Sequence, residues 1–283
     1  MAAVKTAVPP IIALDMDGTV FTSDHKTVTP RTYSALAACA ARGAQIVPVT
    51  GRCEGIVTLD ALPPVRYLIT CNGGIVKDRQ TGAILWADTI PWQHLEKAWE
   101  ILREYDVVPQ LFVGGDIVLE RRVYEDLERY RRQIPVHHLP YLRAGRGIVV
   151  DSLEQYIRTE RPQAAKINLP GKNLESCPQV VERLRALDLF EISSDGMNLE
   201  ATNRGCNKGK ALQGLCAHLN VSPSQVAAFG DGHNDIPMLS AVGWGVAMGN
   251  AKPAVREAAA YQTGPNTEDG IADFLHQYWE EAL

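Results

Sequence analysis

The stretch that most constrains this chain is Ile11-Ile12-Ala13-Leu14-Asp15-Met16-Asp17-Gly18-Thr19. Its apolar run is long enough only for a short buried strand, and it stops at two carboxylates one residue apart. A glycine then lets the backbone turn away. Desolvated carboxylates repel one another, so a buried strand ends in paired acids only where a metal ion or a lysine shares the site. Positive charge must therefore reach this strand end from elsewhere in the chain.

The pattern recurs. Thr29-Pro30 opens a helix that ends at Gly43, and Ala44 to Val49 is a strand candidate ending in Thr50-Gly51-Arg52. Pro48 lacks a ladder donor and points to an edge or a bulge there. Val65 to Thr70 is a third strand, ending at Cys71-Asn72-Gly73-Gly74. After Asn207 the same texture resumes. Lys208-Gly209-Lys210 opens a helix that ends at Asn220, and Val226 to Phe229 runs into Gly230-Asp231-Gly232-His233-Asn234-Asp235. Helices over 236–242 and 253–260, a strand at 246–248 and a final helix after Asn266-Thr267-Glu268-Asp269 complete it. Strands alternating with helices predict a parallel α/β sheet.

Between the polar turn at Arg79–Gly82 and residue 200 the texture differs. Helical stripes (Leu95, Ala98, Trp99, Leu102, Tyr105; Val123, Leu127, Tyr130; Val181, Leu184, Leu187) alternate with short strand-like runs. These runs, at 111–113, 117–119, 165–169, 190–193 and 197–201, end in few chemically loaded groups. The expected organisation is a core of residues 1–82 plus 201–283, interrupted by an α+β module over 83–200.

In an open parallel sheet, loops at the carboxyl ends of the strands form one crevice. Asp15, Asp17, Thr50, Asp231 and Asp235 would converge there, with Lys208 from a helix start. Carboxylates without a full protein cage suit Mg2+, which keeps waters and shares phosphate oxygens. Gly18, Gly51, Gly230 and Gly232 free backbone N–H groups for an anion. Together these groups describe phosphoryl transfer.

Asp15-Met16-Asp17-Gly18-Thr19 resembles the DxDGT signature of the haloacid dehalogenase-like phosphatases. Thr50-Gly51-Arg52, Asn207-Lys208-Gly209 and Gly230–Asp235 resemble the family's remaining motifs, in the right order. The Asn72-Gly73 turn, Met248-Gly249-Asn250-Ala251 and Glu268-Asp269-Gly270-Ile271-Ala272 resemble its Cof-type branch. The insertion of roughly 120 residues stands where that branch carries an α/β cap of the C2 type.

The resemblance implies an α/β fold with a Rossmann-like core and a cap that sets substrate specificity. It implies Asp15 as nucleophile, Asp17 as general acid/base and Lys208 as the catalytic cation. Met16, Thr50, Gly51, Lys208 and Asn234 would hold the phosphoryl oxygens. Asp15, Asp17 through its carbonyl and Asp231 would bind Mg2+, with Asp235 supporting from behind. His233 departs from the acid or amide usual in that loop and its role is open, a place facing the pocket being one option, while Arg52 is open between the cap and the substrate. The implied activity is hydrolysis of a small phosphorylated metabolite through an aspartyl phosphate. A sugar phosphate stands first, with pyridoxal phosphate or FMN behind. The alternatives are a phosphotransferase or phosphomutase on sugar phosphates, and a non-catalytic phosphometabolite-binding regulator.

Net charge −5 gives no general attraction for nucleic acid or an anionic membrane. No signal-peptide apolar core and no membrane-length apolar run stand in the sequence, and the six cysteines show no metal spacing. A cytoplasmic protein without nucleic-acid or membrane partners is expected. Acids interleave with Arg121, Arg122, Arg129, Arg131 and Arg132, which reads as a solvated face. His137-His138 lacks a third ligand at metal spacing, and Gly145-x-Gly147 lacks a strand–turn–helix frame.

Overall fold

Strand β1 (Ile11–Leu14) is fully buried along its length. The structure, a computed structural model, describes residues 7–135, 138–170, 178–194 and 198–279. After β1 come α1 (Pro30–Ala41), β2 (Gln45–Pro48), β3 (Tyr67–Thr70), β4 (Ile75–Asp78) and β5 (Ile84–Ala87). A middle stretch holds α2 (Trp92–Leu102), β6 (Gln110–Val113), β7 (Asp116–Glu120), α3 (Arg121–Tyr124), α4 (Leu139–Arg143) and β8 (Ile148–Val150). It continues with α5 (Leu153–Glu160), β9 (Ala164–Pro170), α6 (Pro178–Ala186), β10 (Phe190–Ser194) and β11 (Asn198–Asn203). The chain closes with α7 (Lys208–Leu219), β12 (Ala227–Gly230), α8 (Ile236–Ser240), β13 (Trp244–Ala247), α9 (Pro253–Ala258), β14 (Tyr261–Gln262) and α10 (Gly270–Trp279). Two units result: residues 1–51, 58–86 and 207–283 form the first, and 52–57 with 87–206 the second.

In the first unit, five parallel strands run in the order β14-β13-β12-β1-β2. β1 therefore has a partner on each side, with Leu14 opposite Phe229 and Pro48. Strands covered on both faces need apolar residues at every position, and β1 has them. Ile11 and Ala13 pack with Ala211, Leu212 and Leu215 of α7 and Met238 of α8. On the other face Phe229 meets Phe274 of α10 edge to face, ring centroids 5.6 Å apart. Burial of each such large side chain stabilises the fold by about 1.5–3 kcal/mol. Pro48 is tolerated because β2 closes this sheet's hydrogen-bonded order. Beyond it, Val49 bridges Ile69, and the Thr50 N–H reaches the Ile69 carbonyl at 2.9 Å, leading to the three-stranded sheet β3-β4-β5.

The second unit is a six-stranded sheet in the order β10-β11-β9-β6-β7-β8, antiparallel except between β7 and β8. Leu111, Ile167, Leu169, Leu199 and Ala201 form a core with α2, α5 and α6. The alternate positions Gln110, Lys166, Asn168 and Thr202 are buried but polar. Residues 52–57 are stitched into this unit: the Gly55 N–H donates to the Gly115 carbonyl at 2.9 Å, and a Cβ on Gly55 would lie 2.7 Å from the Tyr141 ring.

The helix expected along Val123, Leu127 and Tyr130 is shorter than its pattern: only the turn α3 is helical. Val123 is buried while Leu127 and Tyr130 are only half-buried, and a short helix without a packed face is marginal. The sequence pattern does not predict strands β4, β5, β8 and β14 or helices α4 and α5. His137, Cys177 and Met197 lie outside the described residues. The other five cysteines are buried free thiols. Among the described residues, no helix is long and apolar enough to cross a membrane.

Candidate active site

Three backbone features converge where β1 ends. Asp15 follows the strand, its N–H bonded to the Phe229 carbonyl of β12 at 3.0 Å. Asp231 follows β12, and Lys208 is the first residue of α7, whose N-cap Asn207 accepts the Lys210 N–H at 3.0 Å. The start of α7 is approached by Gly73, at φ +103°, where a Cβ would lie 2.3 Å from the Asn207 carbonyl oxygen. Gly18, at φ +82°, admits the Asp231 carboxylate, because a Cβ there would lie 2.6 Å from its Oδ2. Both glycines are thus required by conformation and by space.

Lys208 is completely buried, and its Nζ donates to Asp15 Oδ1 at 2.5 Å and to Asp235 Oδ1 at 2.6 Å. The other oxygen of Asp235 accepts the N–H groups of Asp231 (3.0 Å) and Gly232 (2.9 Å). Thr19 Oγ1 donates to Asp231 Oδ1 at 2.9 Å, and Asn250 Nδ2 to the Gly18 carbonyl at 2.7 Å. Asp235 is therefore tied to backbone and lysine, whereas Asp15 and Asp231 have oxygens to offer.

Ligand atoms of Asp15, Asp231 and Asp235 all lie within 4.8 Å of one another. Three carboxylates against one ammonium leave −2 when all are ionised. Burial, and then the charge of Asp235, push the Asp15 carboxyl well above the usual carboxylate range despite Lys208. Burial likewise raises Asp231 to about 6, against the Thr19 hydrogen bond and with Asp235 adding to the rise. For Lys208, burial disfavours the charge, yet Asp15 and Asp235 override it and raise the pKa. They also offset the mild cost of a cation at a helix N-terminus. A hard divalent cation fits this donor set: it binds oxygen, it matches the residual charge, and it favours the ionised carboxylates.

The other expected residues are placed as follows. Thr50 is buried, its carbonyl accepting the Asn72 N–H at 3.0 Å. A Cβ on Gly51 would lie 3.0 Å from Asn72 Oδ1, the oxygen to which Asn234 Nδ2 donates at 3.1 Å. Asn72 thus joins the 50–51 loop to Asn234. Met16 is buried and its carbonyl accepts the Phe21 N–H at 2.9 Å. The Asp17 side chain is outside the three-carboxylate group; its Oδ1 lies 3.0 Å from His25 Nδ1. His233 is exposed, and Arg52 groups with the second unit. Thr19, Asn72 and Asn250 stand in quoted motifs without having been given a role. His25 carried no sequence signal, because its partner is eight residues away and no helical or strand period links them.

A family model described as haloacid dehalogenase-like hydrolase matches residues 12–275. A pyridoxal phosphate phosphatase of Escherichia coli is 30% identical, over 95% of this chain and 98% of its own. An HMP-PP phosphatase of Serratia proteamaculans is also 30% identical, over 95% and 94%. Among solved structures, a Bacteroides thetaiotaomicron phosphatase of the haloalkanoate superfamily superposes with a TM-score of 0.76 at 26% identity, covering 96% of this chain and 95% of that one. A subclass IIB sugar phosphatase, BT4131, shares the fold with a TM-score of 0.74 at 23% identity, over 95% of this chain and 98% of its own. The chain belongs to the haloacid dehalogenase-like hydrolases, among relatives that are phosphatases.

Proposed function

We propose that this hydrolase releases phosphate from a small phosphorylated metabolite, a sugar phosphate first, with Asp15 as nucleophile. The observation that carries the reading is the buried Asp15–Lys208–Asp235 chain of short hydrogen bonds at a strand end, beside Asp231. Lys208 aims the Asp15 carboxylate and lowers the repulsion an incoming phosphoryl group meets. An Asp15 oxygen bonds to phosphorus as the ester P–O bond breaks, and Asp17 gives its proton to the departing oxygen. Asp17 then takes a proton from water as that water attacks the aspartyl phosphate, which frees phosphate and Asp15. Met16, Thr50, Gly51 and Asn234 hold the phosphoryl oxygens alongside Lys208. Mg2+ would be held by Asp15, Asp231 and the Asp17 carbonyl, with Asp235 behind them, and bound there it supplies positive charge against the phosphoryl oxygens.

The inserted unit is read as a specificity cap that excludes water when substrate binds. Pyridoxal phosphate is the second substrate class to test, since a 30% identical relative bears that name. A cytoplasmic location accords with five buried free thiols. The test is a panel of phosphorylated metabolites with Mg2+, run beside Asp15→Asn. Turnover should fall by at least about 10³-fold in the variant while the fold persists. Substantial residual Mg2+-dependent release would sink the nucleophile assignment, and phosphate found on a second sugar would replace hydrolysis by transfer.

A further inference from the structure

The segment after Asp17 folds back on itself. Asp17 and Phe21 form an isolated bridge, and buried Phe21 anchors the segment, its carbonyl accepting from Asn266 Nδ2 at 2.6 Å. Beyond it, the Thr22 N–H bonds to the Thr27 carbonyl at 2.8 Å. The Asp24 carboxylate sits inside this turn. It accepts the N–H groups of Thr27 (2.8 Å) and Lys26 (3.1 Å), Thr22 Oγ1 (3.1 Å) and Thr27 Oγ1. The His25 N–H closes the turn on the Thr22 carbonyl at 3.0 Å. Backbone and Asp24 thus hold the turn together, and the His25 imidazole is not used for it.

The imidazole goes to Asp17 instead. His25 stands at φ +59°, a conformation uncommon for residues with a Cβ, and its Nδ1 lies 3.0 Å from Asp17 Oδ1. Both side chains are substantially exposed, 64% and 37%, so the contact contributes little to stability. A left-handed residue on a rigid turn, aimed at a reacting carboxyl, suggests function rather than folding.

We infer that His25 is a positioning residue for Asp17. By engaging Oδ1 it restrains the rotation of the carboxyl group that passes its proton to the ester oxygen. The inference rests on Asp17 acting as the acid/base.

Two substitutions separate orientation from folding. Glycine takes φ +59° without strain, so His25→Gly keeps the turn and removes only the imidazole. Asparagine tolerates the same conformation and carries an N–H donor near the Nδ1 position, so His25→Asn restores the contact. On alkyl phosphates, whose leaving oxygen needs a proton, His25→Gly should lower kcat about ten-fold or more with KM held within about two-fold. Nitrophenyl phosphate, a good leaving group, should lose much less, and His25→Asn should recover most of the loss. Equal losses on both esters, a change confined to KM, or identical behaviour of the glycine and asparagine variants would overturn the role. Asp17→Asn is measured alongside. If it discriminates between the esters and His25→Gly does not, His25 alone is dismissed; if Asp17→Asn does not discriminate, the acid role falls and the inference falls with it.

Discussion

Each unit buries a lysine beside a carboxylate, and the two clusters differ in what surrounds them. In the first unit Lys208 bonds two acids, and a third stands beside them. In the second, Lys166 bonds Glu200 at 2.6 Å, stands 4.5 Å from the centre of the Phe112 ring, and neighbours neutral amides. There Gln110 Oε1 pairs with His138 Nδ1 at 2.9 Å and accepts from Asn168 Nδ2 at 3.1 Å, leaving Gln110 Nε2 and Asn168 Oδ1 without partners among the described residues. The first cluster carries a surplus of negative charge when its carboxylates are ionised. The second pairs its lysine with one carboxylate and leaves one buried amide donor and one amide acceptor without partners among the described residues. The difference is one of chemistry: carboxylate oxygens suited to a hard cation in one, a buried amide donor and acceptor in the other.

The comparison breaks first on stability. Removing Lys208, as in Lys208→Met, leaves Asp15 and Asp235 buried without their cation and should cost about 3–5 kcal/mol in urea unfolding. Lys166→Met should cost much less, because the Glu200 side chain keeps 23% of its surface in water. Equal losses would mean the two lysines serve the same purpose.

The amide pair gives a smaller effect of a different kind. Gln110→Leu should cost about 1–3 kcal/mol, since it strands the buried Asn168 amide, whereas Asn168→Leu should cost less because Gln110 Oε1 keeps its contact with His138 Nδ1. The double substitution should cost less than the two added together, because it also removes the Asn168 amide that Gln110→Leu strands. Strict additivity would show that the amides do not act as a unit.

A third effect is on pH. The Asp231 pKa rises from 3.8 to about 6 on folding, so the native state holds a proton that the unfolded chain releases. Between those values νN exceeds νU, and stability of the metal-free protein must fall as pH rises. Asp15, raised further, extends the decline above pH 6. Melting temperature measured across pH 4 to 8 should drift downward without Mg2+, and added Mg2+ should flatten the slope. A rise with pH in metal-free protein would contradict the charge surplus.

The same contrast explains what was legible in the sequence. Asp15, Asp231 and Lys208 lie where strands or helices begin or end, so each interrupts an apolar pattern; Asp231 stands between two glycines and Lys208 next to the cap Asn207. Pro48 correctly pointed to an edge for the same reason. Gln110, Lys166, Asn168 and Glu200 lie inside strands, where polar residues alternating with apolar ones look like an ordinary solvated face. Their burial follows from tertiary packing that no local period encodes. His25 was hidden for another reason, since only the turn built by Asp24 brings it back to Asp17. The helix read through Leu127 and Tyr130 failed because a stripe predicts a helix only where something packs against it.

Residues 52–57 carry one more consequence. The chain enters the second unit for six residues, returns to the first, and only later leaves it again for the long insertion. The second unit is therefore assembled from two separated pieces of sequence, and the shorter piece directly follows Thr50 and Gly51. Exchange of the inserted module between relatives, in evolution or in the laboratory, has to move that hexapeptide too. A graft of residues 87–206 alone would leave Tyr141 and the Gly114–Gly115 turn facing a foreign Gly55 equivalent. The second unit of this chain is thus discontinuous in sequence, with its smaller part beginning directly after Gly51.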